Sequence, residues 1–230
     1  MKDIRRVNFG YFIRPAMETG TGQPRVEPVL GYLVSLPEGW LLFDTGMGGG
    51  PAELDAHYRP VRRPLGDAVR RAGVRPHQIR WVVNCHLHFD HCGGNPSLTG
   101  RPVFTQRIEL AQARSTEFYT LPELVDFPHA RYEELDGEAE VLPGVWVTPT
   151  PGHTDGHQSV VVRRPDGTVV LAGQAHDTTT AYSADMLAWQ AHRDGVGPPL
   201  PPYRPWIDRL MQLDPHRVLF AHDMAVWEPS

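Results

Sequence analysis

Lysine is almost missing from this chain: of 22 basic residues only Lys2 is one, and the formal net charge is −5. No stripe of Lys and Arg is present to neutralise phosphates, so a nucleic-acid partner is excluded. The arginine bias, accompanied by 23 prolines, reads as a coding habit and carries no functional weight. Also lacking is any apolar run near the ~18 residues that a membrane span requires. Met1 to Arg6 is polar and no secretory leader is visible, so the expectations are a cytoplasmic location and no membrane partner. Cysteine is scarce, with only Cys85 and Cys92. Pairing them would close a short strained loop, so a disulfide framework is ruled out and free, partly buried thiols are expected.

What remains is ordinary for a globular protein: 230 residues, 40% hydrophobic and 21% charged. Such a chain can bury roughly 70% of its unfolded surface, and one domain over residues 1–230 is the expectation. Residues 29–36 (VLGYLVSL) and 40–43 (WLLF) are short apolar runs around a Pro-Glu-Gly turn, which predicts a hairpin. Further strands are predicted at 79–84, 102–105, 145–150, 158–163, 168–172 and 218–221. Helices are predicted at 64–72, 106–114, 185–191 and 206–213. Strands alternating with helices indicate an α/β fold, in which sites gather at strand ends.

Four of those strand ends carry ligand-type side chains. After the strand at 79–84 comes HLHFDHC, which packs His86, His88, Asp90 and His91 into one loop. Two imidazoles in H-x-H can turn to one metal while Asp90 and His91, next along the chain, face a second. Zinc and similar ions take four or five imidazole and carboxylate ligands, so this loop must recruit distant residues. His153 in PGHTDGHQS and His222 in FAHD, both at predicted strand ends, are the recruits expected. His157, four residues past His153, can instead orient a loop or a ligand. His57, His77, His129, His192 and His216 are given no role.

H-x-H-x-D-H followed by Gly93-Gly94-Asn95, then TPGHTDGHQS and FAHD, resembles the metallo-β-lactamase-fold hydrolases. Within them the chain is most similar to the N-acyl-homoserine lactone lactonases, through LGYLVSLPEGWLLFDTG, HLHFDHCGGN, VFTQRIELAQA and PGVWVTPTPGHTDGHQS. The resemblance runs from about Leu30 to Asp223. It implies an αββα sandwich, two mixed β-sheets flanked by helices. It further implies that His86, His88 and His153 bind one metal, that Asp90, His91 and His222 bind another, and that Asp44 in FDTG supports the histidines from behind. One position departs from the pattern. Where the family has a metal-bridging Asp after Ala-Gly, this chain has Gln174, a neutral amide that bridges two cations poorly. The second ion is therefore expected to bind more weakly, with Asp177 or His176 as candidate substitute ligands. Position 177 is Asp where such lactonases tend to place a Tyr.

The reaction so implied is hydrolysis by attack of a metal-activated hydroxide on a carbonyl, with Asp90 as the catalytic proton carrier. The expected substrate is a small acyl molecule, first of all a lactone. The alternatives are a thioester or another ester in a biosynthetic pathway, or a metal- or ligand-binding protein whose hydrolysis Gln174 has weakened. Two zinc ions are the expected cofactor, with iron, manganese or cobalt as alternatives, and the state is monomer or homodimer. Loops 47–62, 115–130 and 176–205, with Phe118, Tyr119, Phe127, Tyr182, Met186, Leu187 and Trp189, are expected to form the pocket.

Overall fold

Near-continuous runs such as Val29 to Leu36 and Val160 to Val162 have apolar side chains on both faces of a strand, so each face must meet a separate apolar layer. The computed structural model, which describes residues 3–229, shows those layers. In chain order the first half forms β1 (Ile4–Arg14), β2 (Arg25–Leu36), β3 (Gly39–Phe43), α1 (Ala52–Tyr58), β4 (Val61–Arg62), α2 (Leu65–Arg71) and β5 (Ile79–Val83). It continues through α3 (Phe89–Cys92), β6 (Pro102–Gln106), α4 (Arg107–Ser115), α5 (Pro122–Val125) and β7 (Arg131–Leu135). The second half forms β8 (Ala139–Leu142), β9 (Val145–Pro149), β10 (Gln158–Arg164), β11 (Gly167–Gly173), α6 (Thr179–Arg193), α7 (Ile207–Gln212), β12 (Pro215–Phe220) and β13 (Val226–Trp227).

The strands assemble into a seven-stranded sheet, β4-β1-β2-β3-β5-β6-β7, and a six-stranded sheet, β13-β12-β11-β10-β9-β8. Both are mixed: β1, β2 and β3 pair antiparallel and β3, β5, β6 and β7 parallel, while β11 and β12 are a parallel pair within an otherwise antiparallel sheet. Side-chain alternation then sorts the core. Leu30, Tyr32 and Val34 of β2 meet Val160, Val162 and Leu171 between the sheets. Val29 and Leu33 of the same strand pack outward on Leu65 and Val69 of α2. On the far side Val161, Val170 and Ala172 pack on Tyr182, Ile207 and Leu210 of α6 and α7. The result is the expected order of helix, sheet, sheet, helix.

Three sequence expectations change. Strand β1, which no sequence pattern predicts, lies second from the edge of its sheet, between the short β4 and β2, and pairs with β2 along nine residue positions. Helix α6 begins at Thr179 rather than 185, because the Thr178 hydroxyl accepts the Ala181 N–H at 3.1 Å and caps it. The region 47–62 is not only loop, since it contains α1 and β4.

Candidate metal centre

The centre sits on the seam between the sheets, at the ends of β3, β5, β9, β11 and β12. Leaving β5, the chain places His86 and His88 in an extended loop and then makes a single helical turn, α3, in which the N–H groups of His91 and Cys92 both donate to the His88 carbonyl. The turn carries Asp90 and His91 into a different donor group from His86 and His88. His86, His88 and His153 form one group, and Asp90, His91 and His222 a second, each with donor atoms within 4.8 Å of one another. The groups adjoin, with the His86 and His91 rings 4.1 Å apart.

Hydrogen bonds settle which ring nitrogens face inward. A carbonyl or carboxylate can only accept, so Nδ1 of His222 donates to the Pro28 carbonyl at 2.9 Å and Nδ1 of His91 to Asp44 Oδ2 at 3.0 Å. Both Nε2 atoms are thereby turned to the centre, 3.1 Å from each other and each 3.4 Å from Asp90 Oδ2. Nε2 of His86 is fully buried and has no hydrogen-bond partner. Such an atom is costly unless a ligand satisfies it, and convergent imidazoles and a carboxylate are the donor set of a divalent metal ion.

Burial pushes the imidazoles of His86 and His157 well below the usual range, His88 to about 4 and His153 to about 3, so all four are neutral at pH 7. At His91 burial opposes the charge too, but Asp90 and Asp44 outweigh it and raise the group to about 9. Burial alone would raise the Asp90 carboxyl, yet His91, His222 and His88 hold it at about 2. The field thus favours positive charge beside Asp90.

Asp44 anchors this side from behind. Its φ of 60° puts a non-glycine residue in the left-handed region, a strain tolerated where the surroundings fix it. From there Oδ1 accepts the Cys85 N–H at 2.8 Å while Oδ2 holds His91. His157 stands behind the other wall: its Nδ1–H donates to the Thr150 carbonyl at 3.0 Å, and its Nε2 accepts the Gln174 N–H at 3.1 Å. Gln174, at the end of β11, directs Oε1 into the centre, 3.2 Å from Nε2 of both His91 and His222.

Residues 24–222 match the metallo-beta-lactamase superfamily. The chain belongs to that superfamily. An N-acyl homoserine lactonase of Bacillus thuringiensis is 33% identical over 172 residues, covering 69% of this chain and 68% of the relative. An N-acyl homoserine lactonase of Rhizobium johnstonii is 27% identical over 179 residues, 67% of each chain. Among solved structures, an N-acyl homoserine lactone hydrolase with N-hexanoyl-L-homoserine bound at its catalytic metal centre superimposes with a TM-score of 0.76 at 25% identity, over 97% of this chain and 93% of that one. This member of the superfamily is a metal-dependent hydrolase acting on lactone or ester bonds.

Two ligands expected from the sequence are not brought to the centre. His176 turns away, pairing its Nε2 with Asp185 at 2.9 Å and packing on Trp206 and Tyr182. Asp177 faces Arg25 and the amide nitrogen of Gln174, so it is the Gln174 oxygen, beside His91 and His222, that reaches the centre. Cys85 and Cys92 are free and fully buried, and burial raises both thiols. Glu109 of α4 was missed. Completely buried, it accepts the Leu87 N–H at 2.7 Å and the hydroxyls of Tyr119 and Thr154, tying the His86–His88 loop to the His153 loop. The available signal was an acidic residue on the same helical face as Leu110 and Ala113.

The mouth of the site is a cavity of about 880 Å³ whose floor includes His88, Asp90, His153 and Gln174. Phe12, Leu54, Tyr58, Phe89, Tyr119 and Leu121 make an apolar wall. Of the seven pocket residues expected from sequence, Phe118 and Tyr119 line it. Phe127 is buried, Leu187 is exposed, and Tyr182, Met186 and Trp189 pack beneath the second sheet. No helix among the described residues is long and apolar enough to cross a membrane.

Proposed function

We propose that the chain opens N-acyl-homoserine lactones by hydrolysis. His86, His88 and His153 hold one zinc ion, and Asp90, His91 and His222, with Gln174 Oε1, hold a second more weakly. The observation that carries this reading is that two adjoining donor groups open, through His88, His153 and Asp90, onto the floor of an apolar cavity of about 880 Å³. Ligand pockets commonly hold roughly 300–1,000 Å³, so a ring and a medium acyl chain can enter. When bound, the ions supply a water of lowered pKa and an electrophilic contact for a carbonyl oxygen.

The chain's own residues do the rest. The apolar wall holds the acyl chain and leaves the lactone carbonyl over His88 and Asp90. Asp90, ionised and only 5% exposed, lies where it can take the proton of the attacking water and pass it to the departing alkoxide oxygen. Tyr182 does not contact the substrate, because its hydroxyl points to Met211 in the core. Tyr119 and Tyr58 are the tyrosines on the pocket wall.

The test is metal analysis of the purified protein by mass spectrometry, with initial rates on an N-acyl-homoserine lactone and on an acyl thioester of equal chain length. Zinc together with faster lactone opening is expected. Failure to bind any metal sinks the reading, and a thioester rate well above the lactone rate transfers it to thioesters. In the same preparation Gln174→Asp should raise occupancy of the second position. Wild type retaining two equivalents as tightly as that variant overturns this account of Gln174.

A further inference from the structure

A side-chain amide has an oxygen end and a nitrogen end of equal size, and only its partners decide which way it points. At Gln174 the nitrogen end is fixed by one neighbour. Nε2 donates to Asp177 Oδ1 at 3.1 Å, while Oε1 lies between His91 and His222. The other oxygen of Asp177 accepts Arg25 Nη2 at 3.0 Å. Arg25 is itself braced, its Nε donating to Glu27 Oε1 at 2.7 Å, and the same oxygen takes Arg14 Nε at 2.8 Å.

We infer that Asp177 is a positioning residue that makes Gln174 an oxygen donor, restoring from one hydrogen bond away the negative charge missing at position 174. An ionised carboxylate only accepts, so the flipped amide, with NH₂ turned toward the centre, would set its oxygen against Asp177 and lose the bond. A charge-assisted bond at Nε2 also draws electron density toward Oε1, which makes the amide oxygen a better donor. Arg25 keeps the carboxylate itself from swinging into the centre. The inference rests on the metal assignment proposed above.

The experiment is a thermodynamic cycle read by zinc content, after equilibration with buffered free zinc, of wild type, Asp177→Ala, Gln174→Asp and the double variant. In the Gln174 background, Asp177→Ala should weaken the second equivalent about 10-fold or more, the scale typical of residues that orient ligands. In the Gln174→Asp background the same change should alter it less than about twofold, since no amide remains to orient. Equal weakening in both backgrounds, or none in wild type, overturns the inference. Asp177→Asn serves as a second variant of unchanged size. Its single oxygen cannot satisfy both Arg25 and Gln174, so it too should weaken the second equivalent, and thermal melts confirm that each variant is folded. If wild type binds no zinc at all, the metal assignment falls first. If it binds one or two equivalents and the cycle shows no coupling, only the role of Asp177 falls.

Discussion

Asp44 and Glu109 show how two buried carboxylates do different work around one centre. Asp44 fixes a tautomer. In Asp44→Asn one oxygen can still accept the Cys85 N–H, but the new NH₂ faces His91 Nδ1 and drives its proton to Nε2, the atom meant for the ion. Affinity at the position built from Asp90, His91 and His222 should drop ~10- to 100-fold, with the other position unchanged, as measured by competition with a chromophoric chelator. Glu109 fixes two loops. Glu109→Ala leaves the buried Leu87 N–H without its partner, which should cost about 3 kcal/mol, visible as a lower denaturation midpoint. These residues also mark where sequence stops being informative. HLHFDHC is legible because its donors are crowded into one loop, whereas the support given by Glu109 depends on a contact 22 positions away that no local pattern records. The orientation of Gln174 was equally hidden, since it depends on Asp177 pointing out rather than in.

At the scale of elements, the loop through α3 works only because it lies against the glycine-rich loop after β3. Gly93 N–H donates to the Gly46 carbonyl at 2.8 Å, and a Cβ on Gly93 would collide with the backbone of Gly48 and Met47. Gly93→Ala must part the two loops, and a loss of about 3 kcal/mol, or roughly 6 to 12 °C in melting temperature, is expected by scanning calorimetry. Strands with uninterrupted apolar runs were readable, as were turn signals such as Pro165-Asp166-Gly167. Strand β1 was not, because Arg5, Arg6, Asn8 and Gly10 interrupt its pattern and it is its pairing with β2 that holds it in place. The assignment of 176–205 to the pocket failed for a readable reason. Tyr182, Met186 and Trp189 recur at helical spacing, which places them on one face of α6, and that face packs on the second sheet.

For the molecule as a whole, the histidines set a pH dependence of stability. In metal-free protein His88 and His176 titrate at about 4 and His153 at about 3, all below the unfolded value near 6.5. The unfolded chain therefore binds protons that the folded chain refuses. Stability from these groups is fully present above about 6.5 and is lost as pH falls toward 4. His91, raised to about 9, has the opposite sign: its contribution is complete below about 6.5 and is lost as pH rises through 9. Metal-free protein should thus melt highest near neutrality and lose roughly 5 to 10 °C between pH 6.5 and 5.5, measured by thermal denaturation in the presence of a chelator.

The division of the chain between its sheets carries one more consequence, for biosynthesis. Every strand of the first sheet lies before residue 136 and every strand of the second lies after it. His91 and His222, which face each other across the centre, are 131 residues apart. On a ribosome the histidine-rich loop leaves the exit tunnel long before its partners on the second sheet exist. The group with His153 can be completed once β9 and β10 have docked, whereas the group with His222 must wait for β12, so the proposed metal positions would become available one after the other as the nascent chain lengthens.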